Sequence, residues 1–370
     1  MKKSIIKTVK NFIVLSAAIM LLVSIAKVDV SADTVSENSA QKEFQDVSGD
    51  YEKILMIPGE KRLLSPTSSP GSLYETADSS IVEMIGYGEM TAKKPGTVKV
   101  AKTENGMRTI YQVVVRESVD LIIFAGQSNM AGAGGDYQQA PKPEAGTAYE
   151  YNFTTEEEKG LLTVREPFGN GTNRAYILNG RYVSGNGTLT SAFCIAYYNK
   201  AKTPIVAVPA AWGGTSTNSW LKNNMLSSTL SRMKKAKRFL KKNKVKIRHI
   251  YVVWYQGESD GQCGYSGDTY IRNMKKIWKQ FKKQGAEKIF MIKIAQQINK
   301  PGIMNEIQSA QVKLCKKEKD FLMASTVAST MHENVGKWYF DVIHINQGGL
   351  NVIGKQAGKY AGTYAKKHSK

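Results

Sequence analysis

Cysteine and histidine are scarce in this chain of 370 residues. The three cysteines, Cys194, Cys263 and Cys315, lie far apart and form no Cys-x-x-Cys pair. That spacing argues against a disulfide framework and a thiolate zinc site. The four histidines, His249, His332, His344 and His368, argue against a multi-histidine metal centre. No metal centre is therefore expected, and the motifs read below call for no organic cofactor. The same scarcity leaves few side chains able to serve as a general base near neutral pH. Acidic residues are also short: 31 Asp and Glu face 52 Lys and Arg, a net charge of +21. There are no internal repeats and no low-complexity tract. With 42% hydrophobic and 22% charged residues, global disorder and fibrous architectures are excluded. The length suits two domains.

The longest apolar run lies at the N-terminus, and no other stretch is long enough to span a bilayer. Lys2, Lys3, Lys7 and Lys10 precede that run, Phe12 to Ala26, and Val30-Ser31-Ala32 forms a small-x-small site before Asp33. This is the pattern of a cleaved signal peptide over residues 1–32. The run is shorter than the roughly 20 residues a membrane helix needs. The expected product is secreted, extracellular or loosely held at a cell surface, with no membrane contact after cleavage. Five lysines and one aspartate lie in residues 1–32, so +17 remains after them. Such a charge favours anionic partners, a cell-wall polymer among them.

Much of the charge sits in lysines at 234–246 and 275–283. Leu226, Leu230, Met233, Ala236 and Leu240 form an apolar stripe opposite the first block. Tyr270, Met274, Ile277, Trp278 and Phe281 do so for the second. Two amphipathic helices with solvated lysine faces are expected. No aromatic-interleaved RNA motif or zinc finger is present, and no nucleic-acid partner is expected.

Residues 33–50 are polar and read as a linker. Over 51–117, short strands are expected at Ile54–Met56, Ser80–Met84, Thr97–Val100 and Thr109–Val115, with Pro70-Gly71, Pro95-Gly96 and Asn105-Gly106 as turns. That spacing predicts a small all-β sandwich. The stretch Gly88-Glu-Met-Thr-Ala-Lys-Lys-Pro-Gly-Thr-Val-Lys-Val100 resembles the late hairpin of bacterial immunoglobulin-like domains of the Big2 type. The resemblance implies a spacer or adhesive module.

From residue 118 to 370 the pattern becomes α/β. Apolar runs at 119–125, 204–210, 248–255, 288–295 and 321–327 predict buried parallel strands. Helical stretches fall near 190–201, 226–243, 268–284, 304–319 and 348–367. Alternation of the two predicts a doubly wound sheet with helices on both faces. The Gly/Asn/Thr/Tyr-rich section 132–188 is expected to shape a substrate site.

In open α/β sheets, ligands sit at the carboxyl ends of strands. Four motifs fall there. After the first strand comes Gly126-Gln127-Ser128-Asn129-Met130. Ser128 opens a helix here, either as a cap or as a nucleophile whose own N–H faces a developing oxyanion. After the second comes Trp212-Gly213-Gly214-Thr215. Paired glycines leave an N–H free for a ligand, and Trp212 suits either sugar stacking or the core. After the third comes Gln256-Gly257-Glu258-Ser259-Asp260. The Gln256 amide can donate to an oxyanion, and Glu258 is either an orienting carboxylate or a structural one. The fourth is Asp341-Val342-Ile343-His344. If this loop turns once, Asp341 holds one imidazole nitrogen and the other is left for Ser128. His332, beside Glu333, is the competing base.

Together these ordered blocks resemble SGNH-type hydrolases, and within them the sialate O-acetylesterase / family 6 carbohydrate esterase branch, over about 119–367. Gln-Gly-Glu-Ser-Asp is the most specific element. The resemblance implies a three-layer α/β/α fold. It also implies Ser128 as nucleophile, His344 as base and Asp341 as its partner. The oxyanion hole would then comprise the Ser128 amide, a glycine amide at Gly213 or Gly214, and Gln256. Asn129 and Trp212 are expected to bind substrate. The implied activity is removal of O-acetyl groups from a carbohydrate such as acetylxylan, sialic acid or another acetylated glycan. The rivals are a carbohydrate-binding or adhesion protein with a weak hydrolase-like module, and a lipase-like or thioester hydrolase.

Overall fold

In the computed structural model of the chain, the described residues are 44, 51–65, 69–151, 161–178, 181–183 and 185–369. The expected signal peptide and nearly all of the linker lie outside them.

Seven strands come first: β1 (Glu52–Met56), β2 (Lys61–Leu63), β3 (Leu73–Thr76), β4 (Val82–Ile85), β5 (Glu89–Ala92), β6 (Gly96–Glu104) and β7 (Met107–Val115). They pair as two sheets, β1-β7-β6-β3 and β2-β5-β4. Met56, Val82, Met90, Val98, Val100 and Val113 fill the layer between them. Alternation supplies that layer. In β5, Met90 and Ala92 are buried while Glu89 and Thr91 are half-buried. The Asn105-Gly106 turn joins β6 to β7 as a two-residue hairpin.

Two residues beyond β7 the main sheet begins, with β8 (Ser118–Gly126). The remaining strands are β9 (Ala148–Tyr151), β10 (Leu161–Thr163), the hairpin β11 (Tyr176–Leu178) and β12 (Arg181–Val183), β13 (Ile205–Ala211), β14 (Lys246–Tyr255), β15 (Lys288–Ile292) and β16 (Phe321–Ser325). The helices are α1 (Ser128–Ala131), α2 (Thr190–Ala201), α3 (Thr217–Lys222), α4 (Met225–Lys242), α5 (Glu258–Gln262), α6 (Gly267–Lys283), α7 (Asn305–Lys317), α8 (Val335–Trp338) and α9 (Gln347–Lys367). The sheet order is β10-β9-β13-β8-β14-β15-β16. Only the β9–β10 edge pair is antiparallel, and section 132–188 supplies it. Helices α2 and α9 pack together on one face, and α4, α6 and α7 group on the other. The architecture is a three-layer α/β/α sandwich. β8 and β13 are buried along almost their whole length, as strands covered on both faces must be.

Topology positions the site. The chain leaves β8, crosses to one side to form β9 and β13, then returns to form β14 on the other side. The carboxyl ends of β13, β8 and β14 therefore flank a topological switch point, where such sheets open a crevice.

The β-sandwich is more than tethered. Ile57 packs into the core of the larger sheet. Glu60, 3% exposed, accepts a hydrogen bond from Tyr149 Oη on β9 at 2.7 Å and another from Arg62 Nε at 2.9 Å. Both lysine-rich helices bury the stripes expected of them. Leu230, only partly buried, is the exception.

Candidate active site

Four segments converge at the switch point. β8 ends at Gly126 with φ of +158°, and a Cβ there would lie 2.1 Å from the Tyr255 carbonyl oxygen. Only glycine admits that approach to β14. Gln127 follows. Its Oε1 accepts from the Ser259 amide at 3.2 Å, tying the first motif to the third. Ser128 opens α1 and is 6% exposed. This helix has only four residues, so helix-dipole support for a charge at Ser128 is slight.

The loop before α9 brings His344. Tyr339 bridges to Ile345, and the Phe340 amide donates to the His344 carbonyl at 2.9 Å, which closes residues 339–345 into a tight turn. Asn346 caps α9 beyond it. Ser128 Oγ and His344 Nε2 are 3.0 Å apart. His344 Nδ1 lies 2.6 Å from Asp341 Oδ2. The Ile343 and His344 amides donate to Asp341 Oδ1 at 2.8 and 2.7 Å. Burial opposes ionisation of Asp341. The hydrogen bonds from the His344 ring and from these two amides outweigh it and hold the carboxyl below its ordinary range. His332 is exposed on the 3-10 turn Val327–Asn334, and among the described residues it makes no hydrogen bond to Ser128. His249 lies at the other end of β14, where its ring meets Glu287.

Asn129 does not face a substrate. It is 1% exposed, and its amide is fully engaged. Nδ2 donates to Glu258 Oε1 at 2.8 Å and to the Ile343 carbonyl at 3.2 Å, and Oδ1 accepts from the Ile345 amide at 3.0 Å. Asn129 thus brackets His344 from both sides, which corrects the expectation of a substrate contact. Glu258 is buried, and its Oε2 has no partner among the described residues. Burial raises its pKa, against the Asn129 hydrogen bond that lowers it. Asp260 is raised by burial too. It accepts from the Thr217 amide at 2.9 Å and from Gln256 Nε2 at 2.6 Å.

The expected oxyanion donors separate into two groups. Gln256 is wholly buried, and Nε2 donates to Asp260 and to the Thr215 carbonyl at 2.9 Å. Both its N–H bonds are spent, so the structure corrects the expectation that it faces an oxyanion. The Gly213 amide is likewise spent on the Arg174 carbonyl. The Ser128 and Gly214 amides have no hydrogen-bond partner among the described residues. Gly214 sits at φ of +66° with open space where a Cβ would be. Trp212 is 9% exposed, with the Arg174 and Arg232 guanidinium groups 4.9 and 5.1 Å from its ring. Cations occupy the place where a sugar was expected to stack, so Trp212 is a packing residue.

The bracketing role of Asn129 and the Gln127 tie were missed from sequence. The available signal was the density of polar residues directly after apolar strands. Among the described residues, no group of three His, Cys, Asp or Glu side chains is arranged to hold a metal ion.

The comparisons with known proteins bear on this geometry. A family model described as carbohydrate esterase, sialic acid-specific acetylesterase matches residues 118–362, more than half of the chain. No curated protein matches. Among solved structures, a protein from Arabidopsis thaliana is similar at 21% identity, covering 66% of this chain and 98% of its own, with a TM-score of 0.48. A carbohydrate acetylesterase from Xanthomonas citri is similar at 14% identity, covering 84% of this chain and 73% of its own, with a TM-score of 0.42.

Proposed function

Because this chain belongs to the carbohydrate esterase family of sialic acid-specific acetylesterases, and so is a carboxylic ester hydrolase, we propose that it removes O-acetyl groups from a glycan by a Ser-His-Asp mechanism. The observation that carries this reading is the continuous chain from Ser128 Oγ through His344 to Asp341, with contacts of 3.0 and 2.6 Å.

Each step follows from a named group. His344 Nε2 takes the Ser128 hydroxyl proton as Oγ attacks the acetyl carbonyl. Asp341 accepts from Nδ1–H, which keeps Nε2 as the acceptor and stabilises the imidazolium once formed. The Ser128 and Gly214 amides are the donors left to stabilise the oxyanion. His344 returns the proton to the sugar oxygen as the alcohol leaves. The same imidazole then activates water, and acetate is released from Ser128.

The signal-like N-terminus supports secretion, and the basic surface supports association with an anionic cell-wall polymer. On this reading the β-sandwich is a Big2-like spacer or adhesive unit. The test is acetate release from acetylated xylan, acetylated sialic acid and acetylated pectin, with Ser128→Ala as the reference. Release by the wild type alone supports the reading. Equal release by Ser128→Ala refutes the mechanism.

A further inference from the structure

Two hollows of mixed lining, which share Asn305, form a trough beside the His344 loop. Its near part is a hollow of about 390 Å³ walled by Gln296, Gln297, Asn305 and His332 together with the apolar Ile298 and Val335. The Ile298 amide donates to the Val342 carbonyl at 3.0 Å, two residues before His344, and Tyr339 Oη donates to the Gln296 carbonyl at 2.8 Å. The hollow is therefore built onto the same turn that carries the base. Asn305 is shared with a second hollow of about 550 Å³, walled by Gln308 and by Lys293, Lys313, Lys316 and Lys317. Both volumes lie in the range of about 300–1,000 Å³ that small-ligand sites occupy.

The chemistry of the lining changes along the trough. Near the loop it includes amides: Gln296 Nε2 donates to Asn305 Oδ1 and Gln308 Oε1, and Gln296 Oε1 is buried without a partner among the described residues. At the far end it is ammonium. Lys313 pairs with Asp268 at 3.0 Å, whereas Lys293, Lys316 and Lys317 form no ion pair among the described residues. α7 turns Ile307, Gln308, Ala310, Gln311 and Leu314 inward, which leaves its lysines outward. The Gln296 carbonyl oxygen left over can accept from a sugar hydroxyl, and lysines without a close ion pair suit carboxylates.

We propose that this trough binds the body of a polyanionic, uronic-acid-bearing polysaccharide, whose acetyl ester is thereby presented to Ser128. The acetyl step rests on the esterase reading above, but the binding does not.

The experiment titrates the full chain with deacetylated polygalacturonate, which is a polyanion and cannot be a substrate. Wild type is compared with Lys316→Gln/Lys317→Gln and with Lys234→Gln/Lys235→Gln, an equal charge change on α4 outside the trough. The first variant should bind about threefold more weakly or worse. The second should bind as wild type does, and rising salt should weaken binding throughout. Equal weakening by both variants would mean attraction by net charge alone and would overturn the proposal, as would no weakening by either. Neutral xylan binding as tightly as polygalacturonate would also overturn it. Charge-specific binding without acetate release would sink the esterase reading and leave the trough standing. Hydrolysis of 4-nitrophenyl acetate without charge-specific binding would do the reverse.

Discussion

Asn129 and Glu258 stand 129 positions apart in the chain and meet through a hydrogen bond of 2.8 Å. Through the same amide, Asn129 holds the backbone of Ile343 and Ile345 on either side of His344. A buried carboxylate thus steadies the loop that carries the proposed base. It reaches that loop through one side chain next to the proposed nucleophile.

Replacing Asn129 by alanine should free the His344 loop while leaving Ser128 in place. The expected result is a fall in kcat of about 10- to 100-fold on 4-nitrophenyl acetate, with KM nearly unchanged, because a misplaced base acts on the transition state. Steady-state kinetics check this, with circular dichroism to confirm folding. A raised KM at constant kcat would return Asn129 to the role of a substrate contact.

Ser128→Ala and His344→Ala should each lower kcat by roughly 10³- to 10⁶-fold, and together they should cost little more than either alone. Asp341→Asn should cost about 10⁴-fold through loss of the imidazole tautomer. Additive losses in the double variant would argue that the serine and histidine do not act as a unit.

Burial raises the pKa of Glu258, so the folded state binds its proton more tightly than the unfolded chain does. The stabilisation that this proton brings is complete below the unfolded carboxyl value of about 4.3. It is lost as pH rises from there through the folded value. Glu258→Gln has no proton to lose. Between pH 4 and pH 7 the melting temperature of the wild type should therefore fall relative to that of the variant. Parallel curves over that range would show that Glu258 does not titrate with folding.

The Glu60–Tyr149 contact makes the β-sandwich a contributor to stability. Glu60→Ala leaves the Tyr149 hydroxyl and Arg62 without their shared acceptor and should destabilise the chain by about 3 kcal/mol. Chemical denaturation measures this. A loss below about 1 kcal/mol would show that this contact carries little of the stability and that any contribution of the sandwich lies in its apolar packing, Ile57 above all.

What the sequence determined by itself was local and periodic. The five apolar runs became the parallel strands β8, β13, β14, β15 and β16, because a strand buried on both faces must be continuously hydrophobic. The lysine-rich helices were legible from their 3.6-residue stripe. The candidate residues could be placed at strand ends because Gly-Gln-Ser-Asn and Gln-Gly-Glu-Ser-Asp follow such runs directly. Strands β2 and β3, at three and four residues, were too short to show a period. Only the tertiary structure decided which polar group meets which. A glutamine or asparagine offers donors and acceptors in every direction, and the sequence does not say which are spent. Packing directed Gln256 onto Asp260 and Thr215, turned Asn129 toward the His344 loop, and covered Trp212 with two arginines. It left the amides of Ser128 and Gly214 open. Buried polar groups find partners by proximity in space, and that proximity arises when the sheet brings β13, β8 and β14 side by side.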